Sequence, residues 1–280
     1  MYLVTGATGN VGSKVVAQLL EGGEQVRVFA RNPGKLALWG NHIEIVTGDF
    51  EKPETFRRAL TGIEGVFLIN RGLNGESFIR FIDAAKDQGC PRIVFLSTML
   101  ANNSQLKIGK IHKEQEDVIR GSKLVAKFVR PGVFMSNAYQ WIHTIKTEGI
   151  VYNPMGSGKS APIAPEDIAA VVVRALNTPS LSEEAFEVTG GELLSVPEQV
   201  HILAEVLGKP IQCVDVSIEA TMQGLLRAGI PAEMATAVAQ SFEAVRDGQA
   251  MVVTDTVEKV TGRQPKTFKA WACEHASVFA

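Results

Sequence analysis

The first twelve residues constrain this chain more than any others: Met1-Tyr2-Leu3-Val4-Thr5-Gly6-Ala7-Thr8-Gly9-Asn10-Val11-Gly12. Tyr2 to Val4 form a short apolar run that reads as a buried strand. A glycine-rich turn follows. Val11, Val15, Val16, Leu19 and Leu20 then recur at the spacing of one helical face. Strand, glycine turn and helix, in that order, are the context of a dinucleotide-binding turn. Gly6 permits the tight exit from the strand, Gly9 lets the backbone approach a pyrophosphate, and Gly12 lets the helix lie close to the sheet. Free amides at the helix start, with the helix dipole behind them, then face the anion. The spacing G-x-x-G-x-x-G is one residue wider than G-x-G-x-x-G, and a glycine triplet alone also fits a βα turn without a ligand.

The remaining sequence narrows the class. With 280 residues, 45% of them hydrophobic, the chain is long enough for a full core. A formal net charge of −2 and no basic run longer than Arg57-Arg58 argue against nucleic acid as a partner. No stretch of about 18 uninterrupted apolar residues exists, so no membrane association is expected. The start of the chain does not read as a signal peptide. Cys90, Cys213 and Cys273 are far apart and odd in number, which fits a reducing, cytoplasmic setting. No Cys/His grouping has metal-ligand spacing.

Along the chain, strands are expected at Gln25 to Ala30, Ile43 to Val46, Val66 to Ile69, Arg92 to Leu96 and Ala126 to Val129, with helices from about Glu76 to Gln88 and Lys107 to Arg120. This alternation predicts a doubly wound (Rossmann) parallel sheet with helices on both faces. Ligands of such sheets lie over the C-terminal strand ends. Those ends are the glycine turn, Arg31, Asp49-Phe50, Asn70-Arg71, Ser97-Thr98 and Arg130 to Asn137. A carboxylate at the end of the second strand holds the ribose of NAD. Here Arg31 and Lys35 stand there instead, and Arg31 suits a 2′-phosphate, so NADP(H) is preferred over NAD(H). Further on come a helix at Pro165 to Leu176, a strand at Phe186 to Val188 and a helix at Val196 to Leu207 ended by Gly208. Ile218 to Ala276 reads as mostly helical. The expected division is a cofactor domain at 1–150, rejoined by 163–190, and a smaller helix-rich C-terminal cap at 191–280 with 151–162. The cap shapes a substrate pocket.

Val4 to Gly12, Arg31-Asn32-Pro33, Gly48-Asp49-Phe50, Val94 to Ser97 and Val129 to Met135 together resemble the NmrA-like branch of the atypical short-chain dehydrogenase/reductases. Leu226 to Gly248 resembles the C-terminal part of triphenylmethane reductases and related NADPH-dependent reductases. The resemblance spans essentially the whole chain. It implies NADP(H) binding by Gly6, Thr8, Gly9, Asn10, Val11, Arg31 and Lys35. It implies Asp49 and Phe50 near the adenine, Asn70 and Arg71 near the ribose and diphosphate, Ser97 and Thr98 at the cofactor's centre, and Gly132, Val133 and Phe134 beside the nicotinamide.

One departure bears on mechanism. Typical members carry Tyr-x-x-x-Lys on the helix after the fifth strand, both side chains on one face. Here Ile108 stands at the Tyr position and His112 at the Lys position. Acceptors that do not rely on that Tyr remain: a quinone, a cationic dye or an iminium, for which pre-positioning supplies most of the rate. His112 is a candidate hydrogen-bonding or proton-donating group, or a helix histidine satisfied by Glu116. Tyr139 is a candidate pocket wall, or plain packing. The reading is an NADPH-dependent reductase of a planar, electron-poor organic small molecule, acting as monomer or homodimer. The alternative is a non-catalytic NADP(H)-binding redox sensor that acts through a protein partner.

Overall fold

The computed structural model describes residues 1–69, 75–178 and 180–280. Strand β1 (Tyr2–Thr5) runs through the glycine turn into helix α1 (Asn10–Glu21). The alternation continues with β2 (Val26–Ala30), β3 (Glu44–Thr47), α2 (Phe56–Leu60), β4 (Gly65–Ile69), α3 (Gly75–Asp87) and β5 (Arg92–Leu96). Then come α4 (Lys107–Gly121), β6 (Val125–Pro131), α5 (Ile142–Thr147), β7 (Ile150–Asn153), β8 (Lys159–Ser160), α6 (Pro165–Asn177) and β9 (Ala185–Val188). The C-terminal part holds β10 (Leu194–Ser195), α7 (Val196–Leu207), β11 (Gln212–Asp215), α8 (Ile218–Arg227), α9 (Ala232–Arg246), α10 (Thr256–Thr261), α11 (Phe268–Glu274) and α12 (Ala276–Phe279).

The main sheet has seven strands in the order β3-β2-β1-β4-β5-β6-β9, every neighbouring pair parallel. Val4, Phe67, Val94 and Val129 face one core, with α1 and α6. Leu3, Leu68, Phe95 and Phe128 face the other, with α2, α3 and α4. Burial on both faces explains why these strands read as continuous apolar runs. A third core gathers Trp141, Val151, Leu203, Phe268, Trp271 and Phe279 under the C-terminal helices.

Three features depart from the sequence expectation. The stretch after β2, to which the sequence assigned no element, folds into 3-10 turns (Pro33–His42) interrupted by a kink at Gly40, started by the Asn32 side chain accepting from Gly34 N and by Pro33. Two small two-stranded sheets, β7 with β11 and β8 with β10, join segments too short to show a period. No helix covers the stretch between α9 and α10. Among the described residues, no helix is long and apolar enough to cross a membrane.

Candidate active site

The sheet's strand order reverses between β1 and β4, where open α/β sheets bind ligands. The last paired residues of these strands are Val4 and Phe67. Just beyond, buried Thr5 bridges the parting strands: its hydroxyl donates to Phe67 O at 3.2 Å and accepts from Ile69 N at 2.8 Å.

The glycine turn opens directly from that point. Gly6 has φ +64°, a region that favours glycine. A Cβ on Gly12 would lie 2.2 Å from Gly6 O, so only glycine lets α1 start this close to the turn. Gly9 caps α1 without a side-chain acceptor, unlike Ser195 at α7, Ser217 at α8 and Thr267 at α11. The first-turn amides of α1 are therefore left for an outside acceptor. Asn10 Nδ2 donates to Ser136 Oγ at 3.1 Å and ties the turn to the segment after β6. Thr8 and Asn10 are exposed, while Val11 is buried.

At the end of β2, Arg31 and Lys35 are exposed and form no ion pair among the described residues. Asp49 accepts from Glu51 N at 3.1 Å, which shapes the turn after β3. Phe50 packs edge-on against Phe29 at 5.3 Å and against Phe81 at 5.0 Å, so its ring anchors that turn. Asn70 and Arg71 lie outside the described residues.

After β5, Ser97 is buried and its hydroxyl donates to Glu116 Oε1 at 2.6 Å. Thr98 accepts from Leu100 N at 3.3 Å and starts a 3-10 helix (Met99–Asn102). After β6, Gly132 N donates to Val188 O at 3.0 Å, and a Cβ on Gly132 would sit 3.4 Å from Met99 Sδ. The turns after β5 and β6 thus face each other closely. Val133 O accepts from Ile163 N at 2.8 Å, and Phe134 bridges to Ile163.

Sequence reasoning missed the group that organises this end of the sheet. Glu116 is fully buried and accepts from Ser97, Arg130 and Arg120. Burial pushes its carboxyl up, but the hydrogen bonds from Arg130 and Ser97 and the two guanidinium charges outweigh that and hold it below the usual range. Arg130 also donates to Asn102 Oδ1 at 2.8 Å. The available signal was register: Glu116 lies three residues before buried Ile119 and seven after buried Gly109, hence on the inner face of α4.

His112 corrects one expectation. Its partner is not Glu116 but Ile108 O, 2.9 Å from Nδ1. A carbonyl only accepts, so Nδ1 carries the proton and a neutral ring leaves Nε2 as an acceptor. Burial lowers the imidazole's pKa, against the opposing pull of Ile108 O and Glu116. The ring lies 6.3 Å from Phe95.

Tyr139 lies beside the glycine turn, away from His112. It packs against Trp271 at 5.4 Å, His275 at 5.9 Å and Phe279 at 6.0 Å. With Thr8, Asn10, Lys14, Glu166 and Trp271 it lines a cavity of 140 Å³ beside the start of α1. His112 does not line that cavity. Burial, then the charge of Glu166, raises the Tyr139 pKa. Among the described residues, no cluster of His, Cys, Asp and Glu suits a metal ion.

Residues 6–179 match the family model described as NAD(P)H-binding. The (4-alkanoyl-5-oxo-2,5-dihydrofuran-3-yl)methyl phosphate reductase of Streptomyces griseus is 36% identical over 100% of this chain and 99% of its own length. The NAD(P)H azoreductase of Xenophilus azovorans is 34% identical over 100% of this chain and 99% of its own. Among solved structures, the NADPH-dependent quinone oxidoreductase QOR2 of Escherichia coli, complexed with NADPH, superposes with a TM-score of 0.84. The two are 25% identical, and the match covers 98% of this chain and 99% of that one.

Proposed function

We propose, for a chain that belongs to the NAD(P)H-binding family and to the NmrA-like atypical short-chain dehydrogenase/reductases, that it is a reductase using NADPH in preference to NADH to reduce planar, electron-poor organic molecules. The observation that carries the reading is the uncapped start of α1 behind Gly6, Gly9 and Gly12, with Arg31, at the end of β2, forming no ion pair among the described residues. A cofactor diphosphate fits the open amides at the start of α1, which the absence of a Cβ at Gly12 lets sit close against Gly6 O.

In this reading the amides of Asn10 and Val11 hold the diphosphate, and Arg31 with Lys35 holds the 2′-phosphate. Asp49 and Phe50 border the adenine. Ser97 and Thr98 border the cofactor's centre, and Gly132 to Phe134 border the nicotinamide. Bound NADPH supplies a hydride, hence two electrons, to the acceptor. The chain's own residues position the acceptor and exclude water.

His112, neutral with Nδ1–H engaged, accepts a hydrogen bond at Nε2 and orients rather than protonates. Tyr139 lines, with Trp271, the cavity beside Thr8, Gly9 and Asn10, which neither Ser97 nor Gly132 lines, and is not assigned the proton, which solvent supplies. This suits acceptors whose reduced form needs no buried acid. The three relatives carry names of an acyl-dihydrofuranone phosphate reductase, an azoreductase and a quinone oxidoreductase, all conjugated acceptors. The division into a cofactor part at 1–150 rejoined by 163–190 and a substrate part at 191–280 with 151–162 belongs to the same reading. A cytoplasmic setting fits the three unpaired thiols.

The test is a binding titration with NADPH and NADH, followed by addition of quinones, azo dyes and cationic dyes to the same sample. Consumption of NADPH by one acceptor class supports the reading. Binding without consumption across the panel would favour the sensor.

A further inference from the structure

Two helices begin at the cavity beside the glycine turn, α1 at Asn10 and α6 at Pro165, and α11 lines it with Trp271. Trp271 is fully buried. Its ring packs among those of Tyr139 at 5.4 Å, Phe268 at 5.7 Å and Phe279 at 6.3 Å, and it stacks on His275 at 4.6 Å. The indole Nε1 is nevertheless buried without a hydrogen-bond partner among the described residues. An indole N–H only donates, and a buried one calls for an acceptor. The rings around it supply none, so the acceptor belongs in the cavity that Trp271 lines.

A second orphan, of opposite kind, shares the cavity. Glu166 pairs through Oε1 with Lys14 Nζ at 2.8 Å, while its Oε2 is buried with no partner among the described residues. One donor and one acceptor are thus left open in a space of 140 Å³, room enough for several waters. The same space is bordered by Gly9 and Asn10, at the start of α1 where no side chain caps the amides.

We propose that Trp271 is a cofactor-binding residue: its indole N–H, through a water shared with Glu166 Oε2, holds the diphosphate of NADP(H) from the C-terminal part of the chain. The water accepts from Nε1, donates one proton to Glu166 Oε2 and donates the other to a diphosphate oxygen. A phosphate oxygen in the water's place would satisfy the indole but face the carboxylate, whereas the water serves both and costs little affinity. Lys14 offsets the charge of Glu166. Cofactor binding then ties α11 to α1. This rests on the reading of the glycine turn as the diphosphate site and adds a contact from outside the cofactor part.

The test is NMR spectroscopy of the nitrogen-labelled full chain, whose three tryptophans, Trp39, Trp141 and Trp271, give three indole signals. Trp271→Phe assigns its signal, or Trp39→Phe and Trp141→Phe assign it by elimination. NADP+ is expected to move the Trp271 N–H signal downfield and to slow its exchange with solvent. In Trp271→Phe, NADP+ affinity falls about fivefold, the worth of one net hydrogen bond. The probe 2′-AMP, which carries the 2′-phosphate but no diphosphate, binds that variant as it binds the wild type. Bound NADP+ with the Trp271 signal unmoved would overturn the proposal and leave the diphosphate reading standing. Equal weakening of NADP+ and 2′-AMP would make Trp271 a packing residue only and also overturn it. No binding of NADP+ to the wild type would overturn the proposal and the diphosphate reading together.

Discussion

Arg130 grips Glu116 with two nitrogens, Nε to Oε1 at 2.8 Å and Nη2 to Oε2, inside the protein. The pair joins α4 to β6 directly beneath the turns after β5 and β6. The carboxylate also takes the Ser97 hydroxyl, so three elements at the mouth of the cleft share one charge.

This pair predicts acid sensitivity with a definite sign. Glu116 has a folded-state pKa below its ordinary 4.5. Its stabilisation is fully present above 4.5 and is lost as pH falls through the folded value. Glu116→Ala strands a largely buried guanidinium, which typically costs about 3–5 kcal/mol and lowers the melting midpoint by roughly 10 °C. Thermal melts across the acid range check this. The variant is expected to show a shallower loss of stability below pH 4.5 than the wild type.

Gly12→Ala places a methyl group 2.2 Å from Gly6 O. The backbone must move, at a cost of about 1–3 kcal/mol. NADPH binding is expected to weaken by more than tenfold, because the shifted atoms belong to the proposed diphosphate cradle. Calorimetric titration beside a thermal melt separates lost binding from lost folding.

Arg31→Ala removes an exposed guanidinium that forms no ion pair among the described residues. The melting midpoint is expected to stay within a degree or so, as for most surface substitutions. NADPH affinity should fall by about 10- to 100-fold, the range of a charge-assisted contact. NADH affinity should change little. Parallel titrations with both nucleotides decide it.

Much of this was legible in the sequence and some was not, for physical reasons. The turn after β1 was readable because each glycine there answers a local demand: a positive φ at Gly6 and a close approach at Gly12. Helix α7 was readable to its last residue because Gly208, at φ +63°, ends it locally. Glu116 was not readable as a hub, since its partners Ser97 and Arg130 come from two different strands. The partner of His112 was misjudged because side-chain spacing points to Glu116, while the free acceptor was the Ile108 carbonyl one turn back. The β7–β11 pair joins segments far apart in sequence, which no local period reveals.

His112 is held neutral near pH 7, because burial lowers its pKa from 6.5. With Nδ1–H engaged, it positions and does not donate. His112→Ala is therefore expected to raise KM for NADPH severalfold while kcat falls less. Quinone reduction should follow no histidine titration between pH 6.5 and about 8. A limb in that window that disappears in His112→Ala would make His112 the proton donor instead.

The most direct test of the central claim is a single-turnover experiment. Protein is mixed with one equivalent of NADPH, and a naphthoquinone is added while the near-ultraviolet absorbance of the reduced nicotinamide is followed. The account predicts that the absorbance disappears in step with hydroquinone formation, and that Gly12→Ala and Arg31→Ala slow it at limiting NADPH. Stable absorbance with NADPH demonstrably bound, for quinones, azo dyes and cationic dyes alike, would contradict it.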